Sequence, residues 1–136
     1  MVPAHQYPTV RQYMTAAPST VPRDQSVSVA HRIMREAGIA HLPVMDGPAV
    51  VGILTERDVL LMESLPGVNP TDLRVEEAMV PDAYEVTPEA PLAEVVVTLL
   101  ERRIGSALVI DEGRVVGVFT MVDALRALSD LLKRPE

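Results

Sequence analysis

Apolar residues recur along this chain at two different spacings, which predict helices and strands in a fixed order. From Ser26 to Gly38 they fall three or four positions apart, the pattern of an amphipathic helix with a serine cap and a glycine stop. Residues 41–45 and 49–54 are β-rich runs separated by a turn that contains glycine, and such a pair predicts a hairpin. A short extended stretch precedes the helix, and another helix is expected from Thr55. The segment therefore predicts the order strand, helix, strand, strand, helix.

The same series of elements occurs a second time farther along the chain. The motif Gly-x-x-Thr-x-x-Asp at 52–58 returns at 117–123, and 117 − 52 gives an offset of 65 residues. Met14 falls on Met79 with the same offset, since 79 − 14 is also 65. An internal repeat at a fixed period determines the fold assignment. We therefore expect a duplicated unit, with sites that come in pairs.

Two helices are also expected in the second copy, and the apolar stripe of the first of them, which is formed by Leu92, Val95, Val96, Leu99 and Leu100, is stronger than that of its counterpart. The first of them has no glycine before Gly105, so the pattern leaves its end open. Both stripes follow helical spacing and so predict helices. The final helix begins at Thr120 and places Met121, Leu125, Leu128 and Leu132 on one side.

The repeats define the predicted domain organisation. Residues 1–9 are expected to be an N-terminal tail, 10–65 the first repeat, 66–74 a linker rich in proline, and 75–132 the second repeat. A unit of this length buries too little surface to be stable by itself, so the two repeats are expected to form one module with a shared core. The predicted fold class is α/β, or α+β in some schemes.

Composition narrows the functional classes. Nearly half of the residues are apolar (48%), yet there is one Phe and no Trp, which argues against a surface that stacks nucleic-acid bases. A net charge of −7 disfavours nucleic acid and anionic membranes as partners, but not a small anionic ligand. Cysteine is absent, so disulfides and thiolate metal sites are excluded. No secretion signal or apolar run of about 20 residues is visible, and a cytoplasmic protein is expected.

The repeated Thr-x-x-Asp step has a structural and a functional interpretation. A Thr followed three residues later by an acid at a helix start is a capping box, which satisfies orphan backbone N–H groups. The same geometry also suits a nucleotide. Free N–H groups and a partial positive charge at a helix start favour a phosphate. A carboxylate one turn inside the helix can accept hydrogen bonds from the two vicinal hydroxyls of a ribose. The motif alone leaves both interpretations open.

Other chemistry finds little support in the sequence. The three histidines, His5, His31 and His41, show no metal-ligand spacing, so no metal site is expected. His41 either borders a site or only begins a strand. No Ser-His-Asp arrangement or catalytic pair of carboxylates is indicated by spacing, and we do not expect an enzyme.

Both copies resemble cystathionine-β-synthase (CBS) domains, and the pair resembles a stand-alone Bateman module. The resemblance rests on Met14 and Met79, on residues 41–46 (His-Leu-Pro-Val-Met-Asp) and 107–111 (Ala-Leu-Val-Ile-Asp), and on the two Gly-x-x-Thr-x-x-Asp motifs. It covers about residues 10–130, so no separate catalytic domain is expected within the chain.

The resemblance implies a fold and two binding sites. In the family, two β-α-β-β-α repeats pack sheet to sheet with pseudo-twofold symmetry and leave two clefts that commonly bind adenosine-containing ligands. The aspartate would hold the ribose, the threonine the phosphate, and strand backbone and aliphatic side chains the adenine. The residues implied for the cleft of Asp58 are Ile53, Thr55, Arg57, Asp58, Ala83, Glu85, Ile104, Gly105 and Ser106. Those implied for the cleft of Asp123 are Thr15, Pro18, Thr20, Ile39, Ala40, His41, Val118, Thr120 and Asp123.

The two clefts are not expected to be equal. Arg57 lies between Thr55 and Asp58 and either faces a phosphate chain or is a solvated surface arginine, whereas the corresponding Val122 brings no charge. The hypothesis is that the cleft of Asp58 prefers phosphorylated adenosine. The cleft of Asp123 would then be weaker, take a less anionic ligand or stay empty.

The resulting functional expectation is a regulatory sensor without catalysis. It would require no cofactor and would bind an adenosine-containing regulatory ligand such as AMP, ADP, ATP or S-adenosylmethionine. Family members usually dimerise through their helices, so a homodimer is expected, together with an effector protein whose identity the sequence does not give. The main alternative is a structural dimerisation or docking module with vacant clefts. A nucleic-acid-associated accessory protein is a third alternative, which the acidic charge disfavours.

Overall fold

The computed structural model describes residues 7–134 and contains the predicted elements in the predicted order. Two short strands, β1 and β5, are additional to the prediction. Each follows one of the paired methionines, Met14 and Met79. In chain order the elements are a 3₁₀ turn (Val10–Gln12), β1 (Thr15–Ala16), β2 (Val21–Pro22), α1 (Val27–Ala37), β3 (His41–Asp46), β4 (Ala49–Thr55), α2 (Glu56–Glu63), α3 (Val75–Ala78), β5 (Val80–Pro81), β6 (Glu85–Val86), α4 (Leu92–Arg102), β7 (Ser106–Asp111), β8 (Arg114–Thr120) and α5 (Met121–Lys133).

The described strands form two four-stranded sheets of the same design, so the fold is mixed α+β as predicted. Their strand orders are β2-β3-β4-β5 and β1-β8-β7-β6. In each sheet the two hairpin strands, β3 with β4 and β7 with β8, pair antiparallel. The strand before α1 or α4 pairs parallel to the first hairpin strand, β2 with β3 and β6 with β7. The ladder shifts after Val44 in one sheet and after Val109 in the other, which are equivalent positions because 109 − 44 is 65.

The two compact units do not follow the sequence repeats from end to end. One unit consists of Pro18–Ala83, and the other joins the described residues up to Ala17 to those from Tyr84 onward. The reason is strand pairing, since β1 pairs with β8 and β5 pairs with β4. The segment around Met14 therefore completes the sheet of the second copy. Of the predicted tail 1–9, residues 1–6 lie outside the described part of the chain, whereas the Pro8 carbonyl accepts a hydrogen bond from Leu92 N at 3.0 Å.

The paired methionines pack against the glycines of the repeated motif. A Cβ added at Gly52 would lie 2.7 Å from the Val80 carbonyl oxygen and 2.8 Å from the Met79 sulfur. At Gly117 the nearest atom would be the Met14 sulfur, at 2.5 Å. Both distances are shorter than Cβ contacts in real proteins, so a side chain at either position requires a shift of its neighbours, of the backbone at Gly52 and of the flexible Met14 side chain at Gly117. The methionine and glycine positions of the motif thus form one packing contact in each unit.

Each unit has its own aliphatic core. The core of one includes Val21, Met34, Leu42, Leu54 and Val59, all buried. The core of the other includes Val10, Val95, Leu99, Val109 and Phe119, which is also buried.

The helix boundaries follow from their caps. Ser26 accepts a hydrogen bond from Val29 N at 3.2 Å, and Gly38 ends α1 in the left-handed conformation with φ 66°. In the second copy α4 ends at Arg102, and Arg103 adopts the left-handed conformation with φ 54°. The helix end that the sequence left open is therefore set by a non-glycine residue in a position that glycine usually fills.

Two polar contacts hold the N-terminal turn to its unit. Arg11 Nη2 lies 2.8 Å from Glu89 Oε1, and the Tyr13 hydroxyl donates to Asp130 Oδ2 at 3.1 Å. The hydrogen bond from Arg11 lowers the pKa of Glu89 below its ordinary value. Burial, followed by the hydrogen bond to Asp130, raises the pKa of Tyr13. These contacts join the turn to the loop before α4 and to α5.

The apolar stripe of the last helix faces outward. Asp123 and Ala127 are the buried residues of α5, and their face is turned toward the core. Leu125 and Leu132 on the other side are 63% and 77% exposed. The exposed apolar residues of this helix are Met121, Val122, Leu125, Leu128, Leu131 and Leu132. The sequence pattern therefore located the stripe, and the charged Asp123 is buried together with Ala127.

Candidate functional site

The first Thr-x-x-Asp step opens α2 as a capping box. Thr55 N and Thr55 Oγ1 both donate to Asp58 Oδ2, at 3.1 and 2.8 Å. In return, Asp58 N donates to Thr55 Oγ1 at 3.1 Å. The aspartate is thus held in place by its own helix, as the structural interpretation of the motif requires.

One oxygen of this carboxylate stays available. Within residues 7–134, no donor lies within hydrogen-bond distance of Asp58 Oδ1. The described residues contain no buried side-chain oxygen without a partner, so the unpaired Oδ1 of this half-buried residue faces solvent. A carboxylate oxygen accepts about two hydrogen bonds. Capping and ligand binding therefore use different oxygens of Asp58 and are compatible.

The second Thr-x-x-Asp motif opens α5, and its aspartate accepts more hydrogen bonds than Asp58 does. Thr120 N and Thr120 Oγ1 donate to Asp123 Oδ2 at 2.9 and 3.3 Å. Thr15 Oγ1 and Arg126 Nη1 donate to Asp123 Oδ1 at 3.3 and 3.0 Å. The side chain of Asp123 is 2% exposed and that of Arg126 is 58% exposed. A buried carboxylate is thus neutralised by a guanidinium that reaches in from the surface.

The helix starts offer fewer free N–H groups than the motif predicts. Glu56 N donates to the Ala40 carbonyl at 2.9 Å, and Met121 N donates to the Gly105 carbonyl at 3.2 Å. With Asp58 N bonded to Thr55, two of the first three amides of α2 already have partners. Ala40 and Gly105 lie just before β3 and β7, so the chain itself supplies carbonyl acceptors to both helix starts. Fewer amides are therefore left for a phosphate than an isolated helix start would offer.

Arg57, which lies inside the first Thr-x-x-Asp motif, remains available to pair with an anion. Arg57 is exposed, and no ion-pair partner for it lies within the described part of the chain. Its counterpart Val122 is 64% exposed and carries no charge. The free cation is therefore next to the aspartate that has a free oxygen.

The predicted site residues divide between the two units. Ile39, Ala40 and His41 adjoin Thr55, since His41 pairs with Thr55 across the hairpin. In the other unit Ser106 pairs with Thr120 and Thr15 pairs with Val118. The unit of Pro18–Ala83 contains Ile53, Thr55, Arg57, Asp58 and Ala83 from one predicted set, and Pro18, Thr20, Ile39, Ala40 and His41 from the other. The second unit contains Glu85, Ile104, Gly105 and Ser106, and also Thr15, Val118, Thr120 and Asp123.

Sequence reasoning missed Arg126 as a neighbour of the second aspartate. The signal was present, since Arg126 lies three residues after Asp123 on a helix, where side chains meet. The repeat offset aligns it with Leu61, because 126 − 65 is 61. A comparison of the copies for charge differences beyond the motif would have identified this position.

The other candidates have ordinary roles. His31 Nδ1 lies 2.9 Å from Glu63 Oε2 and joins α1 to α2, whereas His5 lies outside the described residues. Over residues 7–134, no group of three or more potential ligands is placed to hold a metal ion. None of the helices in this range has the length and apolar character needed to cross a membrane.

Comparison with known proteins gives a family match over most of the chain. The family model described as "CBS domain" matches residues 10–63 and again 75–130. Hypoxic response protein 1 of Mycobacterium tuberculosis is 29% identical over 123 residues, which cover 90% of this chain and 86% of that protein.

Solved structures have the same fold. An uncharacterised conserved protein from Pyrococcus horikoshii superposes with a TM-score of 0.80 at 33% identity, covering 94% of this chain and 95% of the other. The CBS domain pair of protein MJ0100, in complex with 5′-methylthioadenosine and S-adenosyl-L-methionine, superposes with a TM-score of 0.79 at 25% identity, covering 89% and 99%.

Proposed function

Because the chain belongs to the CBS-domain family, we propose that it is a non-catalytic regulatory module that binds an adenosine-containing ligand at Asp58. The Asp58 site is defined here by Thr55, Arg57 and Asp58, and the Asp123 site by Thr15, Thr120, Asp123 and Arg126. In this proposal the ligand changes the contacts of the module with a partner, and the module itself performs no reaction.

The free oxygen of Asp58 is the observation that carries the proposal. A vicinal diol needs two neighbouring acceptor positions, and Asp58 Oδ1 provides them while Oδ2 remains bonded to Thr55. Hydrogen bonds to an ionised acceptor are stronger than those between neutral groups. A ribose is a common biological carrier of such a diol, and the MJ0100 domain pair was crystallised with two ribosyl compounds. Both facts favour a nucleoside ligand.

Arg57 supports a phosphorylated form of this ligand. Arg57 lies two residues after the capping Thr55, and its guanidinium has no partner among residues 7–134, so it is free to pair with an anion. Because most amides at the start of α2 are already bonded, the side chain of Arg57 is the principal phosphate donor in this proposal. We infer a preference for AMP, ADP or ATP over an uncharged nucleoside.

A thermal-shift panel with AMP, ADP, ATP, NADH, S-adenosylmethionine and a short RNA tests the proposal. A ligand that binds only the folded state at a hundred times its Kd stabilises it by about 2.7 kcal/mol, or on the order of 10 °C for a chain of this size. We expect a shift with adenosine compounds, none with RNA, and loss of the shift in Asp58→Ala. The absence of a shift with every adenosine compound would contradict the proposal.

A structural homodimerisation module is the second candidate, and the exposed stripe of α5 favours it. Contiguous exposed apolar surface of this kind marks interaction sites in soluble proteins. A second copy of the chain carries the same stripe, and a two-fold axis lets identical surfaces cover each other. We propose that α5 forms a homodimer interface, which is compatible with ligand binding at Asp58.

Charge introduced into the stripe should separate the copies. We expect the wild-type chain to elute as a dimer in size-exclusion chromatography with light scattering, and Leu125→Glu with Leu128→Glu to elute as a monomer, because two carboxylates per chain cannot be buried unpaired. Tyr7→Glu is the control, since Tyr7 is also exposed (55%) but lies outside the stripe. A monomeric wild type, or a variant that remains dimeric, would exclude this interface.

A further inference from the structure

The carboxylates of Asp58 and Asp123 differ in how many of their acceptor positions are filled. Asp123 accepts four hydrogen bonds, two on each oxygen, at 2.9–3.3 Å. Asp58 accepts two, both on Oδ2, at 2.8 and 3.1 Å. Since a carboxylate has about four acceptor positions, Asp123 is saturated by the protein's own donors and Asp58 is half open.

The two additional donors, Thr15 and Arg126, occupy positions at which the two copies carry different residues. Thr15 pairs with Val118 in one sheet, and Val80 pairs with Ile53 in the other. These pairs are equivalent, since 80 − 15 and 118 − 53 are both 65. Arg126 corresponds in the same way to Leu61. Val80 and Leu61 are apolar and exposed, 47% and 56%, so neither can donate to Asp58.

Displacing these donors opposes ligand binding at Asp123. A diol can reach Asp123 Oδ1 only if Arg126 and Thr15 withdraw. The carboxylate is 2% exposed, so its charge is shielded little by water and depends on the guanidinium. At Asp58 the same diol displaces only solvent.

We propose that Arg126 and Thr15 act as an internal ligand that closes the Asp123 site to vicinal diols, so that the module takes its ribosyl ligand at Asp58 alone. This inference rests on the proposed function of the Asp58 site. The two residues determine which copy binds, and the repeated motif does not, because the motif is the same in both copies.

Exchanging the two positions between the copies tests the inference. Thr15→Val with Arg126→Leu gives the second copy the residues of the first, and Val80→Thr with Leu61→Arg does the reverse. Adenosine and 2′-deoxyadenosine are titrated by calorimetry into wild type and both variants, because an uncharged nucleoside separates diol binding from phosphate binding. The second variant changes only exposed side chains, so it remains informative if the first folds poorly.

The three proteins are expected to differ in the number of adenosine molecules bound per chain and in their affinity for adenosine. Wild type should bind one adenosine per chain, and the Thr15→Val, Arg126→Leu variant should bind two. The Val80→Thr, Leu61→Arg variant should bind adenosine at least tenfold more weakly than wild type. With 2′-deoxyadenosine, which has no vicinal diol, binding should weaken at Asp58 in the wild type and at both aspartates in the Thr15→Val, Arg126→Leu variant. A single adenosine site in the Thr15→Val, Arg126→Leu variant, together with an unchanged adenosine affinity in the Val80→Thr, Leu61→Arg variant, would overturn the inference. This result would leave the proposed function intact. Failure of all three proteins to bind adenosine or AMP would overturn both.

Discussion

Asp58→Asn is expected to weaken AMP binding at least about 100-fold, because hydrogen bonds to a charged acceptor contribute roughly 1.5–3 kcal/mol each and two of them are lost. Asparagine has the same shape as aspartate, and its carbonyl oxygen can still accept from Thr55 N. The amide nitrogen would then occupy the position of Oδ1, where it presents donors to the donors of the diol. The substitution therefore removes the proposed ligand contact and preserves the helix cap.

Asp123→Asn is the matched comparison. Its carboxylate is saturated by Thr15, Thr120 and Arg126, so its loss should leave the affinity for AMP within about twofold of wild type. Isothermal titration calorimetry on both variants gives the two affinities directly. Equal losses in the two variants, or an unchanged affinity in Asp58→Asn, would show that Asp58 does not hold the ligand.

Gly52→Ala is expected to cause the largest loss of stability among conservative substitutions in the motif, about 3 kcal/mol. The added Cβ would meet the Val80 carbonyl oxygen at 2.7 Å, and this backbone atom cannot move away without breaking the pairing of β4 with β5. The φ of Gly52 is not positive, so the cost is steric and does not come from the backbone conformation. Displacement of β5 should also weaken AMP binding, since β5 pairs beside Ile53.

Gly117→Ala is the internal control for this prediction. The nearest atoms there are the Sδ and Cγ of Met14, the end of a flexible side chain, so the cost should be about 1 kcal/mol. Met14→Ala should relieve much of it in a double-mutant cycle, whereas Met79→Ala should relieve little at Gly52. Urea denaturation measures the free energies of unfolding. Equal costs at the two glycines would contradict the backbone explanation.

The repeat and the local order of elements could be predicted because they depend on interactions between residues close in sequence. Ser26 and Gly38 bound α1 as their residue types predict, since caps act within one turn of the helix. The hairpins also follow from local alternation and turn residues.

Other features depend on residues distant in sequence. Two-residue strands such as β1 and β5 have no periodicity to detect, and their pairing with β8 and β4 exchanges segments between the copies. The outward position of the α5 stripe was also not predictable, because helical spacing gives a face but not its direction.

By itself, the sequence determined that the chain is a duplicated unit of helices and strands with two Thr-x-x-Asp helix starts, since the 65-residue offset and the capping pattern can be read from the residue order alone. Only the tertiary structure decided that the two aspartates differ in how many hydrogen bonds they accept from the protein. The difference arises because Thr15 is brought to Asp123 from 108 residues away by the pairing of β1 with β8, while an apolar residue takes that position beside the other copy. Hydrogen-bond saturation of a carboxylate is a property of three-dimensional neighbours, and no local motif specifies it.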